Sequence, residues 1–277
     1  MESEIVVVYF TNENNVELAE MSASYFKKYS KNLKINIVSN RIPEGHVKKY
    51  DDIDYFDAGV EFDSSGKHFG ETMITYLNSI NHDYILLLCD DYVLIDDIKQ
   101  KDLRELIQYI SCEDIDYFGF DDISSNSSKI PKQPYKSSCK NKYSEHFILK
   151  NNDDEYLYSV QPSIWKRKSL LKILSAGISL HDLDHTIESL RVYKDIIALE
   201  NSLKSHMTYL NKDIAKTIDY FIFAYVEIVR HGVFILPEIN ENRSEDEIQV
   251  KVIRDIINEY EFKNDALLCK LLYQNRP

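Results

Sequence analysis

The chain has 277 residues, 44% of them hydrophobic, and a formal net charge of -13. That length supports one large α/β domain, or one domain with a small appendage, with enough apolar content to fold without staples. The acidic balance excludes nucleic acid as a general partner, so a phosphate-bearing ligand needs a metal or a local basic patch.

The first apolar run, residues 5–10, is only six long and follows Glu2 and Glu4. It is too short and wrongly flanked for a signal peptide or a membrane span, and no later run approaches the roughly 18 residues a span requires. The cysteines, Cys89, Cys112, Cys139 and Cys269, are scattered and form no CxxC pair. Their spacing leads to the expectation of a reduced, soluble chain in the cytoplasm. None of the seven glycines falls in GxGxxG or GxxxxGK[ST] spacing, which removes the usual dinucleotide loop and the P-loop.

In chain order, residues 5–10 read as a buried strand and residues 12–15 as a turn into a helix carrying Val16, Leu18, Ala19, Met21, Tyr25 and Phe26. Residues 33–38 alternate as a second strand, completing the opening of a βαβ unit. A long acidic loop follows, then a helix over residues 69–80. Next comes the most informative stretch, in which Ile85, Leu86, Leu87 and Leu88 end on Cys89, Asp90, Asp91 and Tyr92. Consecutive aliphatic residues bounded by polar ones predict a strand buried on both faces.

Residues 98–110 read as an amphipathic helix and 115–120 as a strand. Residues 121–145 are rich in Ser, Asn and Lys, with Lys129, Lys132, Lys136, Lys140 and Lys142. This stretch is either a solvated loop or a lid over an anion. Residues 147–150 and 156–160 read as a hairpin, and the segment from Gln161 to Trp165 leads into a helix over 169–175. The apolar stretch 219–234 is ambiguous between strand and helix. Ser244 and Glu247 have capping-box spacing ahead of a helix over 248–260, and 266–272 adds a short last helix.

Ligands of open α/β sheets gather at the carboxyl ends of the strands. Two adjacent carboxylates there repel each other unless a cation offsets their charge, so Asp90 and Asp91 are candidate metal ligands. A solvent-exposed turn cap is the plain alternative. A phosphatase of the haloacid-dehalogenase kind needs Asp-x-Asp followed by a small or β-branched residue, and Tyr92 breaks that pattern.

The order of these pieces over residues 5–234 resembles bacterial polysaccharide-biosynthesis glycosyltransferases with a GT-A fold. The resemblance rests on the strand ending in Asp90, Asp91 and Tyr92, and on Gln161, Pro162, Ser163, Ile164 and Trp165 ahead of a helix. The stretch 181–188 and the turn at His231 and Gly232 match more weakly. It implies a mixed, mostly parallel Rossmann-like sheet flanked by helices, with a GT-A domain over residues 1–235 and a C-terminal helical extension, 236–277, packed on it. It further implies that Asp91, with Asp90, holds Mn²⁺ or Mg²⁺ on the diphosphate of a nucleotide-sugar. Gln161, Ser163 and Trp165 would shape the sugar or acceptor pocket, an indole face stacking on a pyranose. The other expectation for Trp165 is a core anchor at a helix start.

An inverting transfer also needs a carboxylate base for the acceptor hydroxyl. Asp184 is the first choice, with Asp182 and Glu188 behind it, although Asp182 and Asp184 are shorter than the acids of the family's "WEFE"-like stretch. His181 and His185, four apart beside Asp182 and Asp184, are also spaced as a metal trio. Lys67 and Arg41 could reach a phosphate or a base.

The leading expectation is therefore transfer from a nucleotide-sugar donor to a glycan or lipid-linked glycan, with a peripheral contact to the cytoplasmic membrane face left open. A sugar nucleotidyltransferase, which would show a Gly- and Arg/Lys-rich loop after the first strand, and a non-catalytic binding or assembly protein are the alternatives.

Overall fold

The computed structural model describes residues 5–30, 32–64, 66–94, 98, 100–119, 147–149, 162–175, 205–208, 225–227, 229–230, 233–234, 247–262 and 265–272. Its first half is a repeating strand and helix pattern: β1 Ile5–Thr11, α1 Val16–Tyr29, β2 Ile35–Ser39, β3 Asp54–Asp57, α2 Lys67–Ser79, β4 Tyr84–Cys89, β5 Tyr92–Leu94 and α3 Gln100–Cys112. Then come β6 Tyr117–Gly119, β7 Phe147–Leu149, β8 Ser163–Lys166, α4 Arg167–Ser175, β9 Ser205–Thr208 and β10 Tyr225–Glu227. The chain closes with β11 Val229–Arg230, β12 Val233–Phe234, α5 Glu247–Glu259 and α6 Asp265–Leu272.

Eight strands form one sheet in the order β3-β2-β1-β4-β8-β6-β9-β7. β1 to β4, β6 and β9 run one way, while β8 and β7 are reversed. This is the α/β class with a mixed, mostly parallel sheet that the sequence predicts.

The period-two alternation of strands sorts the core into two layers. Ile5, Val7 and Tyr9 of β1, with Leu86 and Leu88 of β4, pack against Ala19, Ala23 and Phe26 of α1 and Leu103, Leu106 and Ile107 of α3. Val6, Val8 and Phe10, with Ile85 and Leu87, pack on the other side against Phe69, Met73 and Leu77 of α2 and Leu170, Ile173 and Leu174 of α4. β1 and β4 are thus buried on both faces, which is why they read as uninterrupted apolar runs. A third cluster joins the outer side of α1, through Leu18 and Met21, to Val93, Ile253, Ile256, Tyr260, Leu267 and Leu271. Through it α5 and α6 are packed on α1. Lys49 adds a link by donating to the Glu261 carbonyl over 2.8 Å, its Nζ lying 3.7 Å from the Tyr260 ring centroid.

The structure bears on three expectations. β7 pairs antiparallel with β9, a pairing across about sixty residues that leaves no local trace, while residues 156–160 of the expected hairpin lie outside the described residues. The described parts of 219–234 are strands, and β10 pairs antiparallel with β5, placing Glu227 opposite Tyr92. Cys112 is disulfide-bonded, so the four thiols are not all reduced: separation in sequence does not keep cysteines apart once the chain folds. Among the described residues no helix is long and apolar enough to cross a membrane.

Candidate functional site

The carboxyl ends of β1, β2, β3 and β4 form one rim, since these strands are mutually parallel. α2 connects the parallel strands β3 and β4 and so returns antiparallel to them, bringing its N-terminus to the same rim. Gly66 precedes α2 with φ of 78°, a left-handed conformation that favours glycine, and lets the loop turn sharply into the helix.

Asp90 and Asp91 follow directly on β4 and are half-buried. Asp90 is gripped from two sides. The Thr11 hydroxyl, at the end of β1, donates to Asp90 Oδ2 over 2.6 Å, and the Ser22 hydroxyl of α1 donates to the Asp90 carbonyl over 2.6 Å. A hydroxyl-to-carboxylate bond this short is charge-assisted. Asp91 occupies the next position of the turn into β5, whose Tyr92 pairs with Glu227 of β10.

Beside the acids, buried Asn40 at the end of β2 ties three loops together. Its Oδ1 accepts from the Glu13 backbone N–H over 2.8 Å and its Nδ2 donates to the Val60 carbonyl over 3.0 Å. Asp57, at the end of β3, accepts from the backbone N–H groups of Gly59 (2.8 Å) and Ile42 (3.1 Å). These bonds satisfy loop backbone groups that neither helix nor sheet pairs. The rim beside the acid pair is therefore a set of interlocked turns. On its α2 side the buried His68 ring stacks on Phe10 and faces exposed Phe62, with centroids 6.5 Å and 4.8 Å apart, and its Nδ1 lies 2.8 Å from the Asp63 carbonyl.

Of the cationic candidates, Arg41 lies on the rim just beyond β2 and is exposed and ion-paired with Glu61. Lys67 is exposed and opens the first turn of α2. A cation in that position is disfavoured by the helix dipole, a cost that an anionic ligand would offset.

Ser163 and Trp165 belong elsewhere. The register pairs Ser163 with Leu87 and Trp165 with Ile85, so β8 starts at the rim, but Trp165 points into the layer beneath α2 and α4. It is 1% exposed, packs on Tyr117 with centroids 4.6 Å apart, and donates its Nε1–H to the Ser163 hydroxyl over 3.0 Å. The expectation that Ser163 and Trp165 shape the sugar or acceptor pocket, with the indole stacking on a pyranose, is therefore corrected: Trp165 is a core anchor, the other role open to it, and Ser163 is its hydrogen-bond partner. Gln161, Asp182, Asp184 and Glu188, with His181 and His185, lie outside the described residues, as do residues 121–145.

The donor set at the acid pair is made of hard oxygens: two carboxylates with a hydroxyl against one of them. Such a set suits Mg²⁺ or Mn²⁺, which take one or two carboxylates and complete their shell with phosphate and water oxygens. Among the described residues no three His, Cys, Asp or Glu side chains are grouped to hold a metal unaided. A cation here would be one shared with an anionic ligand. Sequence reading finds the acids from the abrupt end of an apolar run, but misses Thr11, Ser22, Asn40 and Asp57, whose only signal is their place at the ends of β1, β2 and β3 or on the packed helix between them.

No protein-family model matches the chain, and no curated protein matches it. Among solved structures the chain is similar to TarS of S. aureus, at 12% identity and a TM-score of 0.42, over 75% of this chain and 37% of that one. It is also similar to the galactosyltransferase LgtC in complex with donor and acceptor sugar analogs (14% identity, TM-score 0.40, 74% of this chain and 73% of that one). A third is the glycosyltransferase GlyE of Streptococcus pneumoniae TIGR4 (12% identity, TM-score 0.43, 76% and 46%). The chain spans little more than a third of TarS and less than half of GlyE. These likenesses concern the course of the chain rather than its residues.

Proposed function

We propose that the chain is a metal-dependent glycosyltransferase of the GT-A kind, taking a nucleotide-diphosphate sugar as donor and a hydroxyl of a glycan or lipid-linked glycan as acceptor. One observation carries this reading: a carboxylate pair at the carboxyl end of the central strand β4, built into a rim by hydroxyls from β1 and α1. Asp91 with Asp90 would hold Mn²⁺ or Mg²⁺, which would supply the charge neutralisation that a departing nucleoside diphosphate needs. Lys67 adds positive charge on the same rim, and Arg41 would bring its guanidinium to the donor by exchanging exposed Glu61 for a phosphate, in a chain whose net charge would otherwise repel the donor. The Asn40 and Asp57 turns give the donor a pre-formed wall, so little ordering is left for binding to accomplish. Asp184, with Asp182 and Glu188 as the other candidates, takes the proton of the acceptor hydroxyl. A lipid-linked acceptor would bring the chain to the cytoplasmic face of the membrane.

A thermal-shift panel of UDP, GDP, CDP and ADP, each with and without Mn²⁺, tests this reading. It requires stabilisation by at least one nucleoside diphosphate that depends on Mn²⁺. Indifference to all four with and without the metal would refute it and leave a binding or assembly protein.

A further inference from the structure

We infer that Thr11 and Ser22 are positioning residues for the acid pair, through which the first strand and first helix set the geometry of metal-assisted nucleotide binding; this rests on the donor reading above. The two hydroxyls belong to residues that are 1% and 0% exposed. Burying a hydroxyl has a cost that an apolar side chain of the same size avoids, so packing alone would favour Val at position 11 and Ala at position 22. Both hydroxyls instead converge on one residue, from different elements and on different atoms. Thr11 donates to the carboxylate of Asp90, and Ser22 to its main-chain carbonyl.

The two bonds have separable consequences. The Thr11 bond fixes the turn of the Asp90 carboxylate beside a second carboxylate one residue away. The Ser22 bond fixes the carbonyl of the peptide joining Asp90 to Asp91. That peptide is planar, so holding its oxygen sets the direction in which the backbone of Asp91 leaves the strand. Asp90 is thereby anchored to β1 and α1, while Asp91 receives its orientation through a fixed peptide plane. Partners of this kind around ligating carboxylates typically change metal affinity by about 10–100-fold when removed.

The test uses the full chain with three variants, Thr11→Val, Thr11→Ser and Ser22→Ala. Each is titrated with Mn²⁺ in the presence of saturating UDP, GDP, CDP or ADP, and the Mn²⁺ concentration giving half the stabilisation is read alongside the melting temperature of the metal-free protein. Thr11→Val and Ser22→Ala should each raise that concentration at least about tenfold, whereas Thr11→Ser, which keeps the hydroxyl, should remain near the wild-type value. A purely structural role would lower the metal-free melting temperature and leave the Mn²⁺ half-point where it is; that result overturns the inference. So does an equal weakening in Thr11→Ser and Thr11→Val, which would assign the effect to the methyl group. Should Thr11→Val fail to fold, the Mn²⁺ half-point of Ser22→Ala decides by the same criterion. Wild-type protein that responds to none of the nucleotides would remove the donor reading itself, an outcome distinct from variants that bind as well as wild type.

Discussion

The indole of Trp165 lies against the ring of Tyr117, centroids 4.6 Å apart, and its N–H is taken by Ser163, so that β6 and β8 are joined within the layer under α2 and α4. A fully buried indole that bonds within its own strand has no face left for a sugar. Trp165→Phe should therefore cost about 1–2 kcal/mol and Trp165→Ala about 3–5 kcal/mol in urea denaturation, while the Mn²⁺-dependent nucleotide response of Trp165→Phe stays at the wild-type level. A Trp165→Phe protein of unchanged stability but weakened donor or acceptor affinity would return the indole to the binding site.

Glu20 of α1 is 1% exposed, and its Oε1 accepts from His46 Nε2 at 3.1 Å, from the Lys49 backbone N–H at 3.2 Å and from the Tyr55 hydroxyl. One carboxylate thus fastens the β2–β3 loop to α1. Burial and the Glu20 carboxylate together push the Tyr55 phenol well above its ordinary pKa, so it remains a donor at every physiological pH. Glu20→Ala leaves half-buried donors without this acceptor and should destabilise by about 1–3 kcal/mol. Glu20→Gln keeps an accepting oxygen and should cost less. Equal stabilities for Glu20→Ala and wild type in chemical denaturation would show that the loop is held by other contacts.

His82, just ahead of β4, has its pKa lowered by burial first and then by the positive charges of Lys34 and Arg167. A folded-state value below the unfolded one means that the unfolded chain takes up the proton first as the pH falls. Stability from this group is then complete above the unfolded value of about 6.5 and is lost as the pH drops toward the folded value. The melting temperature of wild-type protein should fall more between pH 7.5 and 5.5 than that of His82→Gln. Parallel profiles for the two proteins would exclude His82 as a source of acid sensitivity.

β1 and β4 are legible from sequence because both of their faces are buried, leaving an apolar run with polar stops, and the acid pair is legible because it is one of those stops. Trp165 is harder to place. A single Trp ahead of a helix looks the same whether it anchors the core or stacks on a ligand, and only the register against Ile85 and Tyr117 decides. The β7–β9 pairing and the β10–β5 ribbon escape local pattern because their partners are far apart in the chain. Thr11 and Ser22 escape it for another reason. An isolated hydroxyl carries no periodicity, and its meaning appears only when two of them meet the same residue.

The central claim, that Asp91 holds a cation on the donor diphosphate, is tested most directly by turnover. Release of nucleoside diphosphate from the nucleotide-sugar of whichever nucleotide binds should be compared in wild-type and Asp91→Ala protein, with Mn²⁺ and with a chelator. Wild-type turnover should vanish with chelator and return with added Mn²⁺, and Asp91→Ala should be slower by about 100-fold or more while retaining the wild-type circular dichroism. Wild-type turnover in folded Asp91→Ala protein would contradict the claim outright.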